Sequence, residues 1–134
     1  MADLNWANPK VVKEIQDVLR YWLNMGVDGF RLNVINFLTN DGITAYNPMK
    51  DGVQQNLNDI NQANVKEAMK KIKSVVNEYN NRFIVGEIGS DQIEILKQYQ
   101  SPELLDVIFN FNFEKIAKFS GRQIFDELQS IKHG

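Results

Sequence analysis

Apolar side chains near the start of the chain recur at the spacing of one helix face. They are Val11, Val12, Ile15, Val18, Leu19, Trp22 and Leu23. This period predicts an amphipathic helix. Asn8 suits its N-cap, Pro9 suits its first position, and Gly26 suits the point where it ends. The first predicted element is therefore a capped helix.

The same period predicts helices farther along the chain. The second helix has an apolar face of Val65, Met69, Ile72, Val75, Val76 and Tyr79. The third carries Ile93, Ile95, Leu96 and Tyr99, and the last carries Ile124, Phe125, Leu128 and Ile131. Asn61 is the expected cap of the second helix, and Ser90 or Asp91 that of the third.

Short apolar runs between these helices predict buried strands, at residues 29–35, 82–87 and 105–111. Residues 39–62 are rich in Asn, Asp, Gly and Gln and predict a long loop, a feature that is often functional. Pro102 separates the third helix from the last strand. Strands that alternate with helices favour parallel pairing with right-handed crossovers. The sequence predicts an α/β fold, with residues 1–134 as a single domain of one helix followed by strand–helix units.

Composition removes several classes of function. Hydrophobic residues make up 43% of the chain, which is enough for a core, and a net charge of −2 with mixed signs leaves no nucleic-acid face. The chain has no Cys and a single His, His133, so thiolate and His-rich metal sites are excluded. The spacing of Asp41, Asp51 and Asp59 is irregular and favours solvated turns over calcium ligands. We expect no metal and no other cofactor.

The chain also lacks the features of membrane and secreted proteins. No segment is apolar enough to span a bilayer, and the first residues do not resemble a signal peptide. Together with the absence of Cys, this favours a cytoplasmic protein with no membrane partner.

Polar side chains at the carboxyl ends of the predicted strands are the candidates for chemistry, because functional groups collect there in parallel sheets. They are Asn33, Glu87, and Asn110 or Asn112. Arg31 shares a strand face with Asn33 and needs an anion, for which a neighbouring carboxylate is the natural partner. A structural role as helix caps is also open to these residues. A flavodoxin-like domain is disfavoured, because Gly86–Gly89 lacks the features of a phosphate loop.

Four segments resemble one family in the same order along the chain. Gly29–Phe37, with the sequence GFRLNVINF, resembles the G-F-R-x-D segment of the α-amylase superfamily, on the fourth strand of a (β/α)8 TIM barrel. Val85–Glu87 resembles the fifth-strand signature, and Leu105–Phe111 resembles the sixth strand. Asp3–Trp6, followed by Asn8 and Pro9, resembles the approach to the third barrel helix of oligo-1,6-glucosidase-like members. The resemblance implies a partial TIM barrel from an α-glucosidase-like protein.

The resemblance also implies a role for each matching site residue. Asn33 occupies the position of the nucleophile, which is an aspartate in the family, and Glu87 that of the general acid/base. Arg31 matches the arginine that positions the nucleophile, and Val34 matches a valine common in members that favour α-1,6 links. The implied ligand is an oligosaccharide with α-glucosidic links. Retaining hydrolysis needs two carboxyl groups roughly 5–5.5 Å apart.

Departures from the family pattern change the expected activity. A neutral amide at Asn33 cannot form the usual glycosyl ester. The sequence has no match to the Asp-x-x-x-Asn-His segment of the third strand or to the Asn-His-Asp segment that carries the third catalytic acid. We expect a retaining α-glucosidase site without turnover; the alternative is a non-catalytic sugar-binding or structural module. Since a full barrel has eight units and roughly 250 residues, exposed edges predict self-association.

Overall fold

The structure is a computed structural model that describes residues 4–39, 47–55, 60–61, 63–90, 92–116 and 120–133. Its helices are α1 (Pro9–Asn24), α2 (Ala63–Val76), α3 (Ile93–Lys97) and α4 (Gly121–His133). Its strands are β1 (Gly29–Leu32), β2 (Met49–Lys50), β3 (Val53–Gln54), β4 (Phe83–Gly86) and β5 (Val107–Ile108). Short 3-10 helices span Ile35–Phe37 and Phe111–Lys115. The expectations for Asp3, Asp41, Asp59 and Asp91 lie outside the described residues.

The boundaries of α1 are set by the predicted capping residues. The Asn8 side-chain oxygen accepts a hydrogen bond from the Lys10 N–H at 3.0 Å, and Pro9 is the first helical residue. Gly26 follows the C-cap and has a φ of +96°, a conformation that glycine adopts without the penalty of a side chain. The predicted start and end of this helix are confirmed.

Three of the strands form a parallel sheet in the order β1-β4-β5. Arg31 lies opposite Val85, and Val85 lies opposite Val107. The predicted alternation of parallel strands with helices is confirmed. Because the three strands point the same way, their carboxyl ends meet at one edge of the sheet.

The core lies on the helical side of this sheet. It is formed by buried side chains of α1, α2 and the sheet, including Leu19, Leu23, Val65, Met69, Ile72, Val75, Val76 and Ile84. Gly86 has no room for a side chain here, since a Cβ atom would lie 2.2 Å from Leu105 Cδ1. Side chains that alternate with the buried ones, such as Phe83 and Val107, are exposed on the opposite face. The described elements therefore cover only one face of the sheet.

Two predicted strands are longer in the sequence pattern than in the structure. The strand expected at residues 29–35 ends at Leu32, because Val34 takes a left-handed conformation and a 3-10 helix follows. The strand expected at residues 105–111 spans only Val107–Ile108. There the Asn110 side chain accepts a hydrogen bond from the Asn112 N–H at 3.0 Å and begins another 3-10 helix. Both apolar runs thus continue into turns.

The segment predicted as a loop at residues 39–62 contains a hairpin. Strands β2 and β3 pair antiparallel, with Met49 opposite Gln54. Asp51 and Gly52 connect them with φ values of 51° and 76°. An Asp-Gly pair favours this two-residue turn because both of its central residues need positive φ. The prediction of an unbroken loop was wrong at these residues, although Asp51 is indeed an exposed turn residue.

The expected caps of α2 and α3 were also wrong. Asn61 lies two residues before α2, and its side-chain oxygen accepts a hydrogen bond from the Tyr99 hydroxyl at 2.9 Å. The N-cap of α3 is Gln92, whose N–H donates to Ser90 Oγ at 3.2 Å. Within the described ranges, no helix is long and apolar enough to cross a membrane. The cytoplasmic location stays a prediction.

Candidate active site

The sequence-predicted site residues lie at the carboxyl ends of neighbouring strands. Asn33 directly follows β1, and Glu87 directly follows β4. The two segments are joined by backbone hydrogen bonds from the Glu87 N–H to the Leu32 carbonyl at 2.9 Å and from the Ile35 N–H to the Glu87 carbonyl at 2.8 Å. The parallel pairing of β1 with β4 therefore brings residues 33 and 87 to the same edge of the sheet.

Arg31 forms an ion pair with Glu87 across these strands. Its Nη2 donates to Glu87 Oε2, and its Cζ atom lies 5.6 Å from the centre of the Phe109 ring, within the range of a cation–π contact. The guanidinium of Arg31, on β1, thus contacts Glu87 at the end of β4 and Phe109 at the end of β5. The predicted carboxylate partner is confirmed. The prediction that the strand at residues 29–35 is buried is wrong at Arg31, whose side chain is 54% exposed on the uncovered face of the sheet.

Glu87 is the more buried member of this pair. Its side chain is 19% exposed, and its backbone is fixed to β1 through both its N–H and its carbonyl. A charge-assisted hydrogen bond from a guanidinium also restricts the orientation of the carboxylate. The structure therefore holds Glu87 in a defined position at the sheet edge.

Asn33 is exposed in the turn that follows β1. Its side chain makes no hydrogen bond with any residue in the described ranges. A neutral amide offers Arg31 no counter-charge, whereas Glu87 does. The family resemblance predicts that Arg31 positions residue 33. In the structure Arg31 instead forms its ion pair with Glu87.

Val34, which follows Asn33, carries backbone strain. Its φ and ψ of 40° and 51° are left-handed, which is rare for a β-branched residue and costs on the order of 1–3 kcal/mol. Two hydrogen bonds hold this turn in place. The Ile35 N–H donates to the Glu87 carbonyl at 2.8 Å, and the Phe37 N–H donates to the Val34 carbonyl at 3.0 Å. Strained backbone of this kind concentrates at functional sites.

Asn36 is a buried polar residue that the sequence analysis did not single out. It is fully buried, and its Oδ1 accepts a hydrogen bond from the Gly89 N–H at 3.0 Å. Its carbonyl accepts another from the Asn61 N–H at 2.8 Å. The only sequence signal was one polar residue inside the apolar run at residues 34–38, and its burial could not be inferred from that.

The remaining candidates serve the structure. Asn110 and Asn112 each donate from their side-chain amides to Glu127 of α4, at 2.9 and 3.1 Å. These contacts favour the structural reading for both residues. In the part of the chain that is described, no group of three His, Cys, Asp or Glu side chains could hold a metal ion.

Comparison with known proteins identifies the family. The profile of the α-amylase catalytic domain matches residues 1–132. The chain belongs to the α-amylase catalytic-domain family. The family assignment therefore rests on nearly the whole chain and not on short motifs alone.

Curated relatives of this chain include an oligo-1,6-glucosidase and an α-glucosidase. The chain is 30% identical over 122 residues to the oligo-1,6-glucosidase of Halalkalibacterium halodurans, an alignment that covers 89% of this chain and 22% of the relative. It is 37% identical over 118 residues to the α-glucosidase of Schizosaccharomyces pombe, covering 83% of this chain and 20% of the relative. The chain thus spans about a fifth of the length of the curated relatives it matches.

Solved structures of this family share the fold. The trehalose-6-phosphate hydrolase of Bacillus licheniformis superposes with a TM-score of 0.71 at 32% identity, covering 82% of this chain and 20% of that chain. The α-glucosyl transfer enzyme XgtA superposes with a TM-score of 0.79 at 25% identity, covering 96% and 27%. The strand–helix units described above are therefore part of a (β/α)8 barrel arrangement, as predicted.

Proposed function

We propose that this chain supplies the nucleophile and acid/base positions of an α-glucoside site, and that with Asn33 in the first position it binds such sugars without hydrolysing them. The observation that carries the proposal is the Arg31–Glu87 ion pair beside residue 33. It lies at the carboxyl ends of parallel strands, where barrel enzymes build their sites. The similarity to glucosidases supports the same assignment.

The missing chemical step follows from the nature of residue 33. Retaining hydrolysis requires a carboxylate that attacks the anomeric carbon and a carboxylic acid that protonates the leaving oxygen. We assign the second role to Glu87, which must take up a proton to fill it. The amide oxygen of Asn33 is neutral and a poor nucleophile, so no glycosyl ester forms. The Asn side chain has nearly the shape of Asp, and the volume available to the sugar is therefore retained.

We assign the preferred linkage to α-1,6, on the basis of Val34. This position follows the nucleophile position directly, and its half-buried side chain lies in the strained turn. The similarity to proteins named oligo-1,6-glucosidase supports this choice. Isomaltose should therefore bind more tightly than maltose.

Calorimetric titration with isomaltose and maltose tests the binding proposal. We expect saturable binding of isomaltose that Arg31→Ala abolishes, because that change removes the ion pair that holds Glu87. Arg122→Ala is a matched control, since Arg122 is exposed on α4 and pairs with Asp126. Absence of binding, or binding that survives Arg31→Ala, contradicts the proposal.

A hydrolysis assay tests the absence of turnover. We expect no release of nitrophenol from p-nitrophenyl α-glucoside by the chain, because residue 33 cannot act as the nucleophile. The Glu87→Gln variant distinguishes hydrolysis at this site from hydrolysis by a contaminating enzyme, because only the former depends on Glu87. Turnover that disappears in that variant shows that the chain hydrolyses glucosides, and the proposal of a non-hydrolysing site is then wrong.

We also propose that the chain self-associates through the exposed edges of its sheet, β1 and β5, together with the apolar part of its uncovered face. Phe83, Val107 and Phe109 are 49%, 47% and 40% exposed on that face. Contiguous apolar surface of this kind favours pairing with another chain. Light scattering on a sizing column should give a mass at least twice that of the 15.5 kDa chain. A monomer at high concentration rules out the association.

A further inference from the structure

We propose that Asn36 is a positioning residue that holds the turn bearing Asn33 against the segment bearing Glu87. The inference rests on the proposed sugar site, whose two reacting positions are residues 33 and 87. Asn36 touches neither of them directly. It acts through the backbone, by joining the segments on which they stand.

The contacts of Asn36 extend the pairing of β1 and β4 beyond the point where the strands end. Backbone hydrogen bonds join Glu87 to Leu32 and Ile35 to Glu87, at 2.9 and 2.8 Å. Beyond these, the 3-10 helix turns the backbone of β1 away from its neighbour. The next hydrogen bond between the two segments involves a side chain, because Asn36 Oδ1 accepts from the Gly89 N–H at 3.0 Å.

Asn36 also connects these segments to a third one. Its carbonyl accepts from the Asn61 N–H at 2.8 Å, just ahead of α2. Asn61 in turn accepts from the hydroxyl of Tyr99, a buried residue that follows α3. The nucleophile turn is thus tied to the segment that precedes α2 as well as to the acid/base segment.

The burial of Asn36 indicates that its oxygen is the important atom. The side chain is fully buried, yet its Nδ2 finds no acceptor among the described residues. A buried donor without a partner destabilises a fold, and an apolar side chain of similar size avoids that cost. Asn36 therefore suits this position because of the bond its Oδ1 makes to Gly89.

Amide hydrogen exchange measured by NMR tests the role. Asn36→Leu preserves the approximate shape but removes the acceptor, so exchange at Ile35, Glu87 and Gly89 should accelerate about tenfold, the effect of losing roughly one hydrogen bond. Asn36→Asp retains an oxygen at the Oδ1 position. Measured near pH 4, where burial keeps its carboxyl group protonated and neutral, this variant should keep these rates within about threefold of the starting protein at the same pH. Ile72→Ala, in the α2 core, controls for general destabilisation.

The pattern of exchange rates distinguishes a positioning role of Asn36 from a general contribution to the stability of the fold. The proposal is wrong if Asn36→Leu accelerates exchange across the sheet in the pattern of Ile72→Ala, or leaves Ile35 and Glu87 unchanged. On the unaltered protein, a scalar coupling across the hydrogen bond between the Gly89 nitrogen and the Asn36 side-chain carbonyl provides a check that needs no variant to fold. Its absence also overturns the proposal.

Titration with isomaltose tests the proposed function separately from the role of Asn36. If both hold, Asn36→Leu weakens isomaltose binding at least about fivefold, the change expected for one hydrogen bond. Asn36→Asp, titrated near pH 4 so that the buried carboxyl group is neutral, largely restores the binding. If the starting protein binds no sugar, the proposed function fails, and the exchange rates still decide whether Asn36 positions Glu87.

Discussion

Lys73 and Asp106 form a buried ion pair that should contribute strongly to stability. The Lys73 Nζ lies 2.6 and 2.5 Å from the two carboxylate oxygens of Asp106. Asp106 Oδ2 also accepts from the Ile84 N–H at 2.8 Å, which links the start of β5 to β4. The Lys73 side chain is only 5% exposed, and that of Asp106 is 33% exposed. An ammonium group in this position depends on its carboxylate partner.

Asp106→Asn should therefore destabilise the fold by about 3 kcal/mol. Removing one partner of a buried pair leaves an uncompensated charge and costs on the order of 3–5 kcal/mol, and the partial exposure of Asp106 places this case at the lower end. With a urea dependence of roughly 1–3 kcal/mol per molar, the unfolding midpoint should fall by about 1–3 M. Circular dichroism during urea unfolding measures the change.

Further variants separate the cost of leaving Lys73 charged without a partner from the cost of losing a hydrogen bond. Lys73→Met combined with Asp106→Asn should be more stable than Asp106→Asn alone, because no charge remains buried without a partner. Asp126→Asn breaks an exposed pair with Arg122 and should cost less than about 0.5 kcal/mol. A cost below about 1 kcal/mol for Asp106→Asn, or a double variant that is less stable than it, refutes the reasoning.

The pH dependence of the same pair has a defined sign. Burial alone raises the pKa of Asp106, but the hydrogen bonds from Lys73 and from the Ile84 N–H outweigh it and hold the pKa below its ordinary value. The contribution of Asp106 is therefore fully present above the unfolded-state pKa of about 3.9, and it is lost as pH falls through the folded-state pKa. The stability difference between the starting protein and Asp106→Asn should be constant from about pH 5 to 7 and shrink below about pH 4. A difference that grows on acidification contradicts this.

Two other substitutions test the packing of the sheet and the assigned linkage. A Cβ atom at Gly29 would lie 2.0 Å from the Phe83 carbonyl oxygen, so Gly29→Ala should lower the urea midpoint markedly, whereas Gly121→Ala, which meets nothing within 4 Å, should not. Equal effects of these two variants contradict the observed approach of β1 to β4. Val34→Thr keeps the β-branch but replaces a methyl group with a hydroxyl, and calorimetry should show a lower preference for isomaltose over maltose. An unchanged preference removes Val34 from the determinants of linkage.

Helices α1 and α2 were predictable because buried residues lie on their periodic apolar faces, whereas most of the apolar face predicted for α4 is exposed. Val12, Leu19 and Leu23 are buried on α1, and the Asn8 cap is confirmed. Strand ends were less predictable, since the apolar run continues through Ile35 while the backbone turns at Val34. That turn depends on contacts with the segment that follows β4, which lies more than 50 residues away in sequence.

The candidate site was predictable in outline. Adjacent parallel strands place residue 33 beside residue 87, and the sequence predicted a carboxylate partner for Arg31. The exposure of Arg31 and the contact with Phe109 depend on which face of the sheet is covered, which periodicity does not give. Asn36 was missed because a single polar residue in an apolar run looks the same whether it is buried or exposed. The catalytic roles of the site residues stay predictions.

The central claim is that the carboxyl ends of β1 and β4 form a sugar site without turnover. NMR amide shifts recorded during a titration with isomaltose test it most directly. We expect saturable shifts that concentrate at residues 33–35 and 87–89, with the isomaltose still intact after prolonged incubation. Shifts that occur elsewhere in the sheet, shifts that do not saturate, or the appearance of free glucose contradict the account.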